Sequence, residues 1–237
     1  NSFALKEEKV MIYCQEIQNA KCKMQNAKFQ VFLGMEADFI PGMGHSFSYF
    51  RQNFPLDYLI GSVHLVRNKS MEELWFIDGP DPATYVEGLN RLFDGDIRKG
   101  VTAYYHQIQE MLATDKMDII GHFDKIKMHN HDRFFLESEG WYSDLIDETL
   151  DLVKQSGVIV EVNTRGIYKK RSLSLFPGPD VLKKLHSLKI PVIISSDAHK
   201  PAEVALLFEE TTELLSEIGF RELMHLTSTG WEAVGLK

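Results

Sequence analysis

The sequence predicts an α/β fold built on a parallel sheet, and three observations lead there. Apolar runs such as VIVEVN and PVIISS lack the in/out alternation of a half-exposed strand, as strands covered on both faces do. Segments with helical periodicity separate these runs. His, Asp and Glu gather where the runs end, the edge at which parallel α/β folds keep their functional groups. With 237 residues, 44% of them hydrophobic, the chain can bury one large core, and a single domain over 1–237 is expected.

Val10, Tyr13, Ile17 and Met24 recur at helical spacing and place an amphipathic helix over about Phe3 to Met24. FQVFLGMEADFI reads as a strand from Phe29 to Ile40, closed by Pro41 and Gly42, and LDYLIGSVHLV, Leu56 to Val66, as a second. Asp81 followed by Pro82 is an N-cap and first-turn pair. Beyond it Ile97, Val101, Tyr104, Ile108, Met111 and Leu112 keep one apolar face, so one long helix or a broken pair is expected. MDIIGHFD, Met117 to Asp124, supplies the third strand end. A helix around Trp141 to Gln155 stops at Gly157, and VIVEVN follows. Pro179 and Asp180 introduce the helix VLKKLHSL, which leads into the strand from Pro191 to Ser195. There is no repeat, linker or glycine-rich phosphate loop.

The formal charge of -8 argues against a nucleic-acid footprint, which needs clustered Lys and Arg, so an anionic substrate would be held by local cations or bound metal ions. No membrane partner is expected, because no apolar run approaches the roughly 20 residues of a span. The start NSFALKEEKV also lacks the apolar core of a signal peptide. Cys14 and Cys22 fall on one helix, where eight residues at about 1.5 Å rise hold them roughly 12 Å apart, too far to bridge. Reduced thiols and a cytoplasmic location follow as expectations. Nothing in the sequence sets the oligomeric state.

Five strand ends carry polar groups: Gly34, Glu36 and Asp38; His64; His122 with Asp124; Glu161 and Asn163; Asp197 and His199. A lone His after an apolar strand is more often a hydrogen-bonded structural residue than a ligand, and Asp197 alone could cap the next helix. Recurrence of carboxylate and imidazole at the same end of successive strands instead suits Zn, Mn or Fe. His45, His106, His186 and His225 have no such context; His129 and His131 in MHNHD could pair as ligands by spacing but sit in a polar loop. Asn163, Arg165 and Lys169 in NTRGIYKKR are read either as a solvated basic loop or as a phosphate clamp, since a guanidinium grips two oxygens of a phosphate. Lys127 is a weaker member of the same group.

Taken together and in order, GMEADFIPG (34–42), LDYLIGSVH (56–64), GHFD (121–124), VEVNTRGIYKKR (160–171) with FPGPDVL (176–182), and SSDAH (195–199) resemble the histidinol-phosphate phosphatases of the PHP superfamily. The resemblance runs from about Lys6 to Val204. It implies a distorted seven-stranded β/α barrel with three divalent transition metals at its carboxyl mouth. By motif matching, Glu36 resembles the carboxylate bridging two metals, His64 and His122 further ligands of one of them, Asp197 a ligand of a second and His199 of a third. The implied reaction is hydrolysis of a small phosphate monoester, histidinol phosphate to histidinol and phosphate, with Asp197 or His199 as a route for the proton to the leaving alkoxide. Another phosphoesterase of the superfamily, acting on nucleotides or sugar phosphates, and a non-catalytic metal-binding module are the alternatives.

The sequence departs from the family pattern at its start. That pattern opens with a strand ending in His-x-His, then a further Asp or His and a second strand with an Asp-His pair, and none of these is present in a sequence that also begins without Met. The first strand or strands of the barrel are therefore expected to be missing here. The ligand set around Glu36, His64 and His122 is expected to be whole, and the metals at Asp197 and His199 to lack protein partners.

Overall fold

The computed structural model describes residues 4–24, 29–68 and 73–236. Helix α1, Glu7–Lys23, carries Glu7 and Glu8 in its first turn and Lys21 and Lys23 in its last, each matching the helix dipole. Its expected start at Phe3 lies outside the described residues. Strand β1, Gly34–Asp38, is shorter than the predicted Phe29–Ile40, and the second predicted strand divides into β2, Tyr58–Ser62, and β3, Leu65–Arg67. Helix α2, Phe47–Asn53, lies between β1 and β2, and β3 pairs antiparallel with β4, Leu74–Phe76.

Two helices replace the alternative of one long one. Asp81 accepts a hydrogen bond from the Ala83 N–H and starts α3, Pro82–Phe93, and Asp96 accepts from the Lys99 N–H to start α4, Ile97–Thr114. Between them Asp94 and Gly95 take positive φ and break the helix. Strand β5 is only Ile119–Ile120. Helix α5, Gly140–Ser156, ends at Gly157, whose φ of 71° supplies the left-handed cap that glycine adopts without strain. Every residue of β6, Ile159–Asn163, is buried, as its unbroken apolar run requires. A short helix α6, Arg165–Tyr168, then α7, Pro179–Leu188, lead to β7, Val192–Ser195. Helix α8, Phe208–Ile218, precedes a hairpin of β8, Glu222–Thr227, and β9, Gly230–Gly235, that had no sequence expectation.

The central sheet has the order β1-β2-β5-β6-β7 and is parallel throughout. The parallel α/β expectation holds, but no closed seven-stranded barrel is found among the described residues. The sheet is open because β1 and β7 are its two edges, and β8 and β9 pair with each other instead of extending it. Parallel pairing aligns every carboxyl end on one edge: Glu36 lies opposite Ile60, Asp38 opposite Ser62, and Asn163 opposite Ser195. One apolar core runs from Ala37 through Leu59, Ile120, Val160 and Val192 to Leu223 and fixes that edge. Each large apolar side chain buried there contributes about 1.5–3 kcal/mol.

Candidate metal centre

Glu36 on β1, His64 two residues past β2 and His122 two residues past β5 meet at this edge. One ligand atom from each lies within 4.8 Å of the other two. Glu36 Oε1 is 3.0 Å from His122 Nε2 and 3.5 Å from His64 Nε2, and the two rings pack edge to face at 4.7 Å. The surrounding protein disfavours charge on Glu36, but the His122 hydrogen bond and the two imidazoles outweigh it and hold the carboxyl far below the usual range. A carboxylate kept ionised beside two imidazole nitrogens is a donor set suited to a divalent transition metal. The buried Nδ1 of His122 has no protein partner, which leaves one of its ring nitrogens uncommitted.

His64 is oriented from behind. Asp38 Oδ1 accepts its backbone N–H at 2.9 Å and lies 3.3 Å from Nδ1, leaving Nε2 toward Glu36. Burial disfavours the imidazolium, yet the Asp38 hydrogen bond and the charges of Glu36, Asp78 and Asp38 raise its pKa to about 9. Asp78 Oδ2 lies 3.8 Å from His64 Nε2 and 3.3 Å from Nζ of Lys125, a buried lysine whose ammonium also faces the Phe176 ring at 5.8 Å. Asp78 and Lys125 drew no notice in the sequence, because one lies in the loop after β4 and the other in a short 3-10 turn, whose courses local pattern does not set.

Asp197 and His199 form a neighbouring group. Asp197 has φ of 46° and lies 3.5 Å from His199 Nδ1 through Oδ1. Arg165 bridges the two: its Nη1 is 2.7 Å from His199 Nδ1 and bonds the Asp197 carbonyl, and its Nε is 3.7 Å from Asp197 Oδ2. Glu203, absent from the sequence expectations, accepts the His199 backbone N–H at 3.0 Å. Lys169 and Arg165 also approach Glu203, and these bonds depress its carboxyl to about 2. His199 is the most open of the predicted ligands, its side chain 65% exposed. Its contacts are with Asp197, Arg165 and Glu203, not with the triad.

Three predicted substrate contacts have other partners. Lys127 is buried and paired with Asp124 and Glu137 at 2.7 and 2.9 Å, and these carboxylates raise its pKa against the effect of burial. Lys169 is spent on Glu203. Asn163 is fully buried, its amide shared among Glu161, Asp197 and the Arg165 N–H. Among the described lysines, Lys125 stands beside the triad through Asp78, whereas Lys127 is held by Asp124 and Glu137. His129 is buried, and its Nε2 bonds the Gly79 carbonyl at 2.9 Å.

A parallel α/β sheet with carboxylate and imidazole donors converging at its carboxyl edge defines an α/β protein with a candidate metal centre. Residues 1–165 match the model of the PHP domain. The chain belongs to the PHP domain family. It is similar to a protein named probable histidinol-phosphatase from Deinococcus radiodurans, 29% identical over 217 residues that cover 92% of this chain and 75% of that one. It is also similar to the histidinol-phosphatase of Bacillus subtilis, 24% identical over 207 residues, 85% of this chain and 75% of that one. Among solved structures, the HisK protein of Listeria monocytogenes superposes with a TM-score of 0.75 at 17% identity, covering 87% of this chain and 77% of that one. Histidinol phosphate phosphatase of Lactococcus lactis, in complex with zinc, L-histidinol and phosphate, gives 0.61 at 16% identity, with 97% and 81% covered. At these identities the two structures speak for the fold.

Proposed function

We propose that this chain is a metal-dependent phosphate monoester hydrolase that converts histidinol phosphate to histidinol and phosphate. The observation that carries this reading is the convergence of Glu36, His64 and His122 in a PHP domain whose curated relatives are named histidinol-phosphatases.

Glu36, His64 and His122 hold the first metal, and Asp197 and His199 contribute to two more, giving three Zn, Mn or Fe ions in the working site. When bound, such ions supply Lewis-acid charge for the phosphoryl oxygens and lower the pKa of water toward neutrality. Asp38 keeps His64 facing Glu36. Arg165, paired with Asp197, His199 and Glu203, and the Lys125 ammonium beside the triad place positive charge where phosphoryl oxygens would bind. As water forms its bond to phosphorus and the bond to the histidinol oxygen breaks, Asp197 or His199, 3.5 Å apart, would relay the proton that the water gives up to the departing alkoxide. Lys127, Lys169 and Asn163 shape the site through the ion pairs and hydrogen bonds described above.

Residues 1–237 are read as one PHP-type unit, and the open parallel sheet as part of the family's distorted barrel. No helix of the described residues is long and apolar enough to cross a membrane. The free thiols Cys14 and Cys22 fit the reducing cytoplasm. Phosphate release measured with zinc- or manganese-loaded protein on histidinol phosphate, nucleoside monophosphates and sugar phosphates tests the substrate. A higher kcat/KM on either of the other classes would replace histidinol phosphate.

A further inference from the structure

The buried pair Glu161 and Asn163 lies between the two halves of the site. Both are on β6, two residues apart and so on one face of the strand, and both are almost wholly removed from solvent. A carboxylate in the interior of an apolar sheet is costly unless its oxygens are partnered, so its partners indicate what it is for.

Those partners belong to opposite halves. Glu161 Oε2 accepts the backbone N–H of His122 at 2.7 Å and the Asn163 Nδ2 amide at 3.2 Å. The same Nδ2 lies 3.4 Å from Asp197 Oδ2, and Asn163 Oδ1 accepts the Arg165 N–H at 2.9 Å. One chain of hydrogen bonds thus joins the His122 backbone to the Asp197 carboxylate and to Arg165 at the start of α6. Both ends are held in a backbone conformation that residues other than glycine seldom adopt, with φ of 23° at His122 and 46° at Asp197. Such conformations persist where the surroundings over-determine them. Gly121, next to His122, makes room for Ser62: a Cβ there would stand 2.3 Å from Ser62 Oγ.

We infer that Glu161 and Asn163 are positioning residues, a strut across β6 that holds His122 and Asp197 in register and so sets the spacing between the two halves of the metal site. This rests on the reading of Glu36, His64, His122 and Asp197 as ligands. Glu161 keeps its contacts through one oxygen that accepts two N–H groups, so a glutamine, which retains a carbonyl acceptor, substitutes for it, and an apolar residue does not.

Calorimetric zinc titration of the metal-free full chain tests the strut, with circular dichroism as the control for folding. Losing an outer partner of a metal ligand costs roughly 10–100-fold in affinity, so E161V is expected to fall by that factor and E161Q to stay within about threefold of the parent chain. N163L, which leaves Glu161 in place and removes all three hydrogen bonds of the Asn163 amide, is expected to weaken zinc and to shift the visible bands of the cobalt-substituted protein. It decides the matter if E161V does not fold. Parent-like zinc affinity and cobalt spectrum in a folded E161V or N163L overturn the inference. E36Q is titrated alongside. If it also binds zinc like the parent, the ligand reading itself has failed; if E36Q alone loses zinc, only the strut has.

Discussion

Glu36 Oε1 stands 3.0 Å from His122 Nε2, although 86 residues separate the two in the chain. Nothing local brings them together. The contact follows from the strand order β1-β2-β5 and from parallel registers that align the strand ends. Without a metal this is a hydrogen bond between an ionised carboxylate and an imidazole, and the same atoms are the donors a divalent ion needs.

Replacing Glu36 with Gln removes the anionic donor and keeps the shape. Zinc affinity by calorimetry and kcat on histidinol phosphate are both expected to drop by about 100-fold or more, beyond the roughly 10–100-fold typical of an outer partner, with metal content by elemental analysis falling by at least one ion per chain. A variant with parent-like metal content and turnover contradicts the ligand role.

Asp38 touches His64 and not the other members of the triad. Asp38→Asn weakens the bond that orients His64, and zinc affinity is expected to fall by about 10–100-fold with the fold intact. Calorimetric titration with zinc measures it directly. An unchanged isotherm shows that His64 is oriented by something else.

The pH dependence follows from His64. Its pKa in the folded, metal-free chain is about 9 against an ordinary 6.5, so the folded state holds the extra proton more tightly than the unfolded one. The stability this confers is present in full below about pH 6.5 and is lost as pH rises through about 9. Zinc must displace that proton, so zinc affinity is expected to rise with pH up to about 9. An NMR titration of the His64 ring in the metal-free chain that ends near 6.5 removes the basis for both trends.

Lys127 separates structure from chemistry. Lys127→Met leaves the fully buried Asp124 without its ammonium, and breaking a buried pair in this way costs about 3–5 kcal/mol. Thermal unfolding is expected at a clearly lower Tm, with KM for histidinol phosphate unchanged in the protein that remains folded. A raised KM at unchanged Tm restores Lys127 to substrate binding.

The parts of the site legible in the sequence lie on or just beyond parallel strands. Glu36, His64 and His122 stood out because an apolar run that stops at a polar residue gives both the strand and its end, and parallel register does the rest. Asp78 and Lys125 were hidden, since one follows the short strand β4 and the other lies in a 3-10 turn, where neighbouring side chains point in directions that depend on the packing. Lys127 stood out only for its place shortly after His122; it and Lys125 are both buried, and the fold alone assigns Lys125 to Asp78 and Lys127 to Asp124. The β8–β9 hairpin turns through Ser228 and Thr229 between two apolar-rich runs, with Gly230 at φ 125° opening β9, a short polar turn with a glycine that the sequence offered as a signal. The open sheet in place of a closed barrel is a matter of long-range pairing, which local pattern does not encode.

The most direct measurement is anomalous diffraction at the zinc edge from crystals grown with zinc. A peak bonded to Glu36, His64 and His122 at about 2.0–2.2 Å is expected. Zinc bound elsewhere in the crystal, with the three side chains still paired only to one another, contradicts the metal centre and the phosphatase built on it.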